Sequence, residues 1–96
     1  MTRYISLIRL TEKGAKAIKQ SPARASAFKE MAAKAGVTVE AQYWTVGAYD
    51  GVLILSADKA ENALRCLTEL AALGNVKTET MKVFDAKEFS GILGRP

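Results

Sequence analysis

The sequence predicts an α+β domain of β-α-β-β-α-β order, with a four-stranded antiparallel sheet and two helices on one of its faces. Three observations lead there. Four short runs rich in β-branched and large apolar residues alternate with two longer stretches whose apolar residues recur every three or four positions. Gly36 and Gly74 close the two helical stretches, and Gly47 and Gly51 bracket the connection between the second and third runs. Two of the runs are apolar on both faces and two alternate with polar residues, which separates central strands from edge strands.

The elements follow in order along the chain. Residues Tyr4 to Leu10 read as the first strand. Thr11 is placed to cap a short helical turn through Ala15 and Ile18. Ser21-Pro22 then restarts the helix, with serine as the cap and proline at the first helical position, where its missing N–H costs nothing. Ala25, Phe28, Ala32 and Ala35 form its apolar stripe. Val37 to Val46 is the second strand, and Val52 to Ala57 is the third. The five residues Gly47-Ala48-Tyr49-Asp50-Gly51 join them as a hairpin. Asp58, with Glu61 three residues later, gives a capping-box pattern for the second helix. The buried face of that helix is expected to carry Ala60, Ala63, Leu64, Leu67, Leu70 and Ala71. Val76 to Phe84 is the fourth strand. The tail 85–96 carries Phe89, Ile92 and Leu93, which can share a helix face.

This order is that of the ferredoxin-like fold. Right-handed crossovers place the first and third strands at the centre of the sheet. Strand three, Val52-Leu53-Ile54-Leu55, is apolar throughout, and strand one has Ile5 and Leu7 on one face with Ile8 and Leu10 on the other. Two helices cover only one face of such a sheet. The second apolar face is expected to meet an identical sheet from another copy, as a homodimer or higher oligomer.

Ninety-six residues make one domain, 1–96, with an ordinary globular balance of 49% hydrophobic and 25% charged residues. The N-terminus lacks the apolar run of a secretory signal, and no stretch approaches the ~18 apolar residues that span a membrane. The single cysteine, Cys66, suits a reducing cytoplasm and reads as a small buried hydrophobe. Histidine is absent, which removes the commonest metal ligand and general base. The net charge of +4 is a weak pointer to an acidic partner, because Lys13, Lys16, Lys19, Arg24, Lys29 and Lys34 read as a solvated helix face.

No motif for a metal, nucleotide or covalent cofactor occurs, so none is expected. Nucleic acid is not expected either, since strand three carries no aromatic on which bases could stack. Met31, Met81 and Phe84 read as core. The residues left for a site cluster at the hairpin: Tyr43, Trp44, Thr45, Tyr49 and Asp50. By the two-residue period Tyr43 and Trp44 point to opposite faces, so one meets the helices. Asp50, just before an apolar strand, is either a base or ligand anchor, or a turn residue whose carboxylate accepts backbone N–H groups. Arg9 and Arg3 share a strand face with Ile5 and Leu7, where each can answer an anion or pair with an acid across strands.

Tyr43-Trp44-Thr45-Val46-Gly47-Ala48-Tyr49-Asp50 resembles the central signature of the GYD domain family of small bacterial proteins. Ser21-Pro22-Ala23-Arg24 resembles the family's helix start, and Leu73 to Thr80 its run into the last strand. Two departures accompany the match: Ala48 stands where a polar residue is frequent, and Ser56-Ala57-Asp58 lacks a proline before the second helix. The resemblance implies a dimeric α/β barrel, two ferredoxin-like sheets packed face to face. It implies no single activity, because its fold relatives range from sensing domains to cofactor-free enzymes. Three readings stay open. The chain is a binding or sensing module for a small apolar or aromatic ligand, contacted by Asp50, Tyr49, Trp44, Tyr43 and Arg9. Alternatively it is a cofactor-independent enzyme, monooxygenase- or isomerase-like, using Asp50 and Tyr49. Or it is a structural homo-oligomer with no site.

Overall fold

The computed structural model describes residues 1–94; positions 95 and 96 of the expected tail lie outside the described residues. The elements are β1 (Thr2–Leu10), α1 (Glu12–Lys16), a 3-10 turn (Ile18–Gln20), α2 (Ser21–Lys34), β2 (Val37–Trp44), β3 (Gly51–Ala57), α3 (Ala60–Ala72), β4 (Val76–Val83) and α4 (Ala86–Leu93). The four strands form one antiparallel sheet in the order β2-β3-β1-β4. The two strands that are apolar on both faces are the central ones, as the edge-strand argument requires.

Helices α2 and α3 cover one face. Phe28 and Ala32 from α2, Leu53 and Leu55 from β3, and Cys66 and Leu67 from α3 form the buried core there. Burial, with the nearby Glu69 charge adding to it, pushes the Cys66 thiol up and keeps it protonated. Ser6 is fully buried beneath these helices, with its hydroxyl 2.9 Å from that of Thr80 across the β1–β4 ladder. Side chains alternate along β1, so Arg3, Ile5, Leu7 and Arg9 lie on the opposite face with Val52 and Ile54 of β3. Ile5, Leu7, Val52 and Ile54 are only partly covered there.

A bulge in β2 decides which side chains of the hairpin face the helices. Val39 pairs with Leu55, but the next partner of β3, Ile54, pairs with Ala41. The extra residue reverses the alternation. Beyond it, Gln42 and Trp44 stand on the helix-covered face with Leu53, while Tyr43 stands with Val52 on the open one.

Several local expectations shift. The hairpin connection is the six residues Thr45–Asp50, because β2 stops at Trp44 and Gly51 already pairs with it. Thr11 caps α1 as expected, accepting from the Gly14 N–H. Ser21 does not cap α2: the 3-10 turn runs straight into it, Gln20 is the boundary residue, and the Ser21 hydroxyl is used elsewhere. Asp58 does not cap α3, which starts at Ala60 after an extended Lys59 without a side-chain cap. Packing of Ala63, Cys66 and Leu67 on the sheet sets the phase of α3, and it leaves Leu64 67% exposed instead of buried. Ala60 and Ala71 are exposed for the same reason. Met81 and Phe84 are half-exposed instead of core, since β4 is an edge strand and Phe84 lies past its end beneath the Lys82 ammonium. The tail forms α4, opened by a full capping box between Asp85 and Glu88. Phe89, Ile92 and Leu93 all remain exposed on α4. Among the described residues no helix is long and apolar enough to cross a membrane.

Candidate functional site

A cavity of about 520 Å³ lies between α2 and the helix-facing side of the sheet, at the hairpin end. Its apolar walls come from Ile8 and Leu53 on the sheet, Phe28 and Met31 on α2, and Leu70 and Leu73 at the end of α3. Ser21, Arg24, Gln42, Asp50 and Asn75 supply polar groups. Gly51 forms part of the sheet wall. A Cβ there would stand 3.1 Å from the Tyr43 carbonyl oxygen, so the bare backbone at this position keeps both the strand pairing and the space open.

The hairpin candidates divide between the two faces of the sheet. Trp44 lines the cavity, and its indole N–H donates to the Ser21 hydroxyl at 3.0 Å, tying β2 to the start of α2. Asp50 also lines the cavity. Its Oδ2 accepts from the Leu10 backbone N–H at 2.8 Å, and its own N–H donates to the Ile8 carbonyl at 2.8 Å. The carboxylate therefore takes a backbone N–H as a turn aspartate would, but that N–H belongs to the end of β1 and not to the turn. Asp50 prolongs the β1–β3 ladder by one step beyond Gly51.

Tyr49 points to the other side. Its hydroxyl donates to Glu79 at 2.9 Å, and the Arg9 guanidinium sits 4.7 Å above its ring. Tyr43 borders the cavity, yet its pairing with Val52 puts its ring on the open face, where it is 59% exposed. Arg3 pairs with Glu40 at 3.4 Å on that same face. Tyr49 and Asp50, adjacent in sequence, do not converge on one point. Arg9, Tyr49 and Glu79 form a polar cluster at the rim of the open face.

Sequence reasoning missed two residues. Arg24 was expected on the solvated basic stripe, but it is half-buried and lines the cavity. Its guanidinium donates to the carbonyls of Ala17 at 2.9 Å and Gly14 at 3.4 Å. The signal was present: Arg24 lies one turn before Phe28 on the apolar stripe. Asn75 lines the cavity beside Val76, and its carbonyl accepts from the Thr11 N–H at 3.0 Å. Nothing in its own neighbourhood in sequence pointed to it. Among the described residues no group of three or more His, Cys, Asp or Glu is placed to hold a metal ion.

A four-stranded antiparallel sheet with one face under two helices, a cavity on that side and the other face open defines a small α+β domain of ferredoxin-like fold. The chain belongs to the GYD domain family, whose model matches residues 4–93. It is 36% identical over 83 residues to the glutamine synthetase and cystathionine beta-lyase binding protein of Thermus thermophilus, a match spanning 85% of this chain and 87% of that protein. The crystal structure of TTHA0845 from the same organism matches 90% of this chain and 96% of its own at a TM-score of 0.58 and 26% identity. The crystal structure of FFRP-DM1 matches 88% of this chain and 100% of its own at a TM-score of 0.58, with 16% identity. That last likeness is one of fold.

Proposed function

We propose that this chain is a single small-molecule-binding domain that holds its ligand between α2 and the sheet and pairs with a second copy through the open sheet face. The cavity carries the reading. Small-ligand sites are typically clefts of roughly 300–1,000 Å³ with apolar walls and a few polar groups. At about 520 Å³, bordered by Phe28, Leu53 and Trp44, this half-open cleft falls in that range. In this reading Trp44 and Asp50 touch the ligand. Tyr43, Tyr49 and Arg9 serve the contact between copies. No metal or cofactor is invoked, and the single buried thiol suits the cytoplasm.

A thermal-shift screen of metabolites tests the cavity. At a hundredfold excess over Kd a bound compound adds about 2.7 kcal/mol to stability. At least one compound is expected to raise the wild-type melting temperature and to leave Ala25→Trp unmoved, since Ala25 lines the cavity and indole would fill it. A panel in which nothing shifts the wild type more than the filled variant overturns the reading.

The name of the Thermus relative favours a second reading, in which this domain also docks on an enzyme of nitrogen or sulfur-amino-acid metabolism. Light scattering during size-exclusion chromatography addresses both associations. The chain alone at micromolar concentration is expected at twice its own mass, and a mixture with glutamine synthetase is expected to co-elute. A monomer peak removes the dimer, and separate elution from glutamine synthetase removes that partner.

A further inference from the structure

We propose that the cavity takes a ligand with an apolar body and a single carboxylate, and that Arg24 is the residue that binds the carboxylate. The inference rests on the cavity reading above and adds to it the sign of the ligand's charge and its anchor.

Ser21, Arg24, Ala25 and Phe28 all border the cavity, at the spacings that share one face of α2. Arg24 and Asp50 are the only charged residues in that lining, one of each sign. Their circumstances differ. The Asp50 carboxylate already accepts the Leu10 N–H. Arg24 has no acid partner among the described residues, whereas Arg3 is paired with Glu40 and Arg9 is stacked on Tyr49. Its two protein partners are neutral backbone carbonyls, that of Gly14 in α1 and that of Ala17 just past it, which also accepts from the Gln20 N–H. They fix the position of the guanidinium and leave its charge uncancelled.

A guanidinium carries five N–H donors in a rigid fork, and the two carbonyls occupy only part of that capacity. A carboxylate matches the remaining fork in shape as well as charge, and apolar surroundings strengthen the pairing relative to water. Ser21 adds a donor one turn earlier. Its oxygen accepts the Trp44 indole N–H, so its own hydroxyl proton has no acceptor among the described residues and is available to the second carboxylate oxygen. Asp50 in the same lining repels an anion and so directs the head of the ligand to Arg24 and away from the end of β1. The apolar body then lies along Phe28, Met31 and Leu53.

Trp44 is the only tryptophan and lines the cavity, so intrinsic fluorescence reports binding at this place. The probes are 4-phenylbutyrate, octanoate and decanoate, each titrated beside its own primary amide at neutral pH. Wild type is expected to bind each acid about tenfold more tightly than its amide, the ratio that corresponds to about 1.4 kcal/mol. Added salt is expected to shrink that ratio. Arg24→Gln is expected to erase the preference and to leave amide binding in place, while Arg24→Lys keeps part of it, as a point charge without the fork. Arg24→Gln also gives up contacts to Gly14 and Ala17, so circular dichroism melts accompany it. The acid-to-amide ratio of the wild type needs no variant. Equal binding of acid and amide to wild type, or a preference that survives in folded Arg24→Gln, overturns the anchor and leaves the cavity reading standing. Absence of any fluorescence change with all six probes up to millimolar concentration overturns the cavity reading itself.

Discussion

Gly14→Ala is expected to destabilise this domain by about 2–3 kcal/mol, although glycine-to-alanine changes inside helices ordinarily stabilise by up to about 1 kcal/mol. Gly14 sits inside α1, is buried, and has its Cα face pressed on the chain between α3 and β4. A Cβ built there overlaps the carbonyl oxygen of Asn75 and stands 3.2 Å from Leu10 Cδ2. That carbonyl cannot swing aside cheaply, because it accepts from the Thr11 N–H at 3.0 Å. The neighbouring ties resist too: the Thr11 hydroxyl donates to the Gly74 carbonyl at 2.6 Å and the Lys13 ammonium to the Leu73 carbonyl at 2.8 Å. For a domain of this size a loss of that order lowers the melting temperature by roughly 10 °C or more. Gly91→Ala is the control. Gly91 is also helical, in α4, and its added Cβ meets nothing within 4 Å. There the propensity gain stands alone, and a neutral or slightly positive effect is expected. Calorimetric melts of the two variants decide the matter. Equal behaviour at positions 14 and 91 would mean that the close approach of α1 to Asn75 does not exist.

Leu67→Ala is expected to cost about 3 kcal/mol, and Leu64→Ala no more than about 0.5 kcal/mol. Both leucines fall on the apolar stripe that periodicity assigns to α3, and their chemistry is identical. The difference is in the phase of the helix. Leu67 is 9% exposed in the cluster with Phe28, Leu55 and Cys66, so its truncation removes packed methyl groups and leaves a cavity. Leu64 is 67% exposed, so its truncation removes little from any contact. Urea denaturation of both variants measures the contrast. Similar losses at the two sites would show that Leu64 is covered in solution, by a second copy or by another surface.

The hairpin shows how far local reading reaches. Its position, the aspartate at its end and the opposite orientation of Tyr43 and Trp44 were all legible, because each depends on residues within a few positions of one another. Which of the two aromatics faces the helices was not. Unbroken alternation from the buried Val39 would have put Tyr43 on the core side. The bulge between Val39 and Ala41 puts Trp44 there instead and, with it, gives the cavity its indole wall. The capping patterns behaved unevenly for a related reason. Thr11 caps the start of α1, where its hydroxyl accepts the Gly14 N–H while donating to the Gly74 carbonyl. Ser21 and Asp58 stand where a preceding 3-10 turn or the packing phase of the helix fixes the start before a side chain can.

By itself the sequence determined the order of the elements, the strand order of the sheet, the helix ends at Gly36 and Gly74, and the hairpin that carries the GYD domain family's signature. These follow from periodicity and from backbone geometry that only certain residues adopt, both local properties. Only the tertiary structure decided that Tyr49 and Asp50 serve different faces and that Gly14 must lack a side chain. Each of those depends on a partner far along the chain: Glu79 for Tyr49, Leu10 for Asp50 and Asn75 for Gly14. No run of neighbouring residues encodes such a meeting, because it exists only once the sheet has brought the segments together.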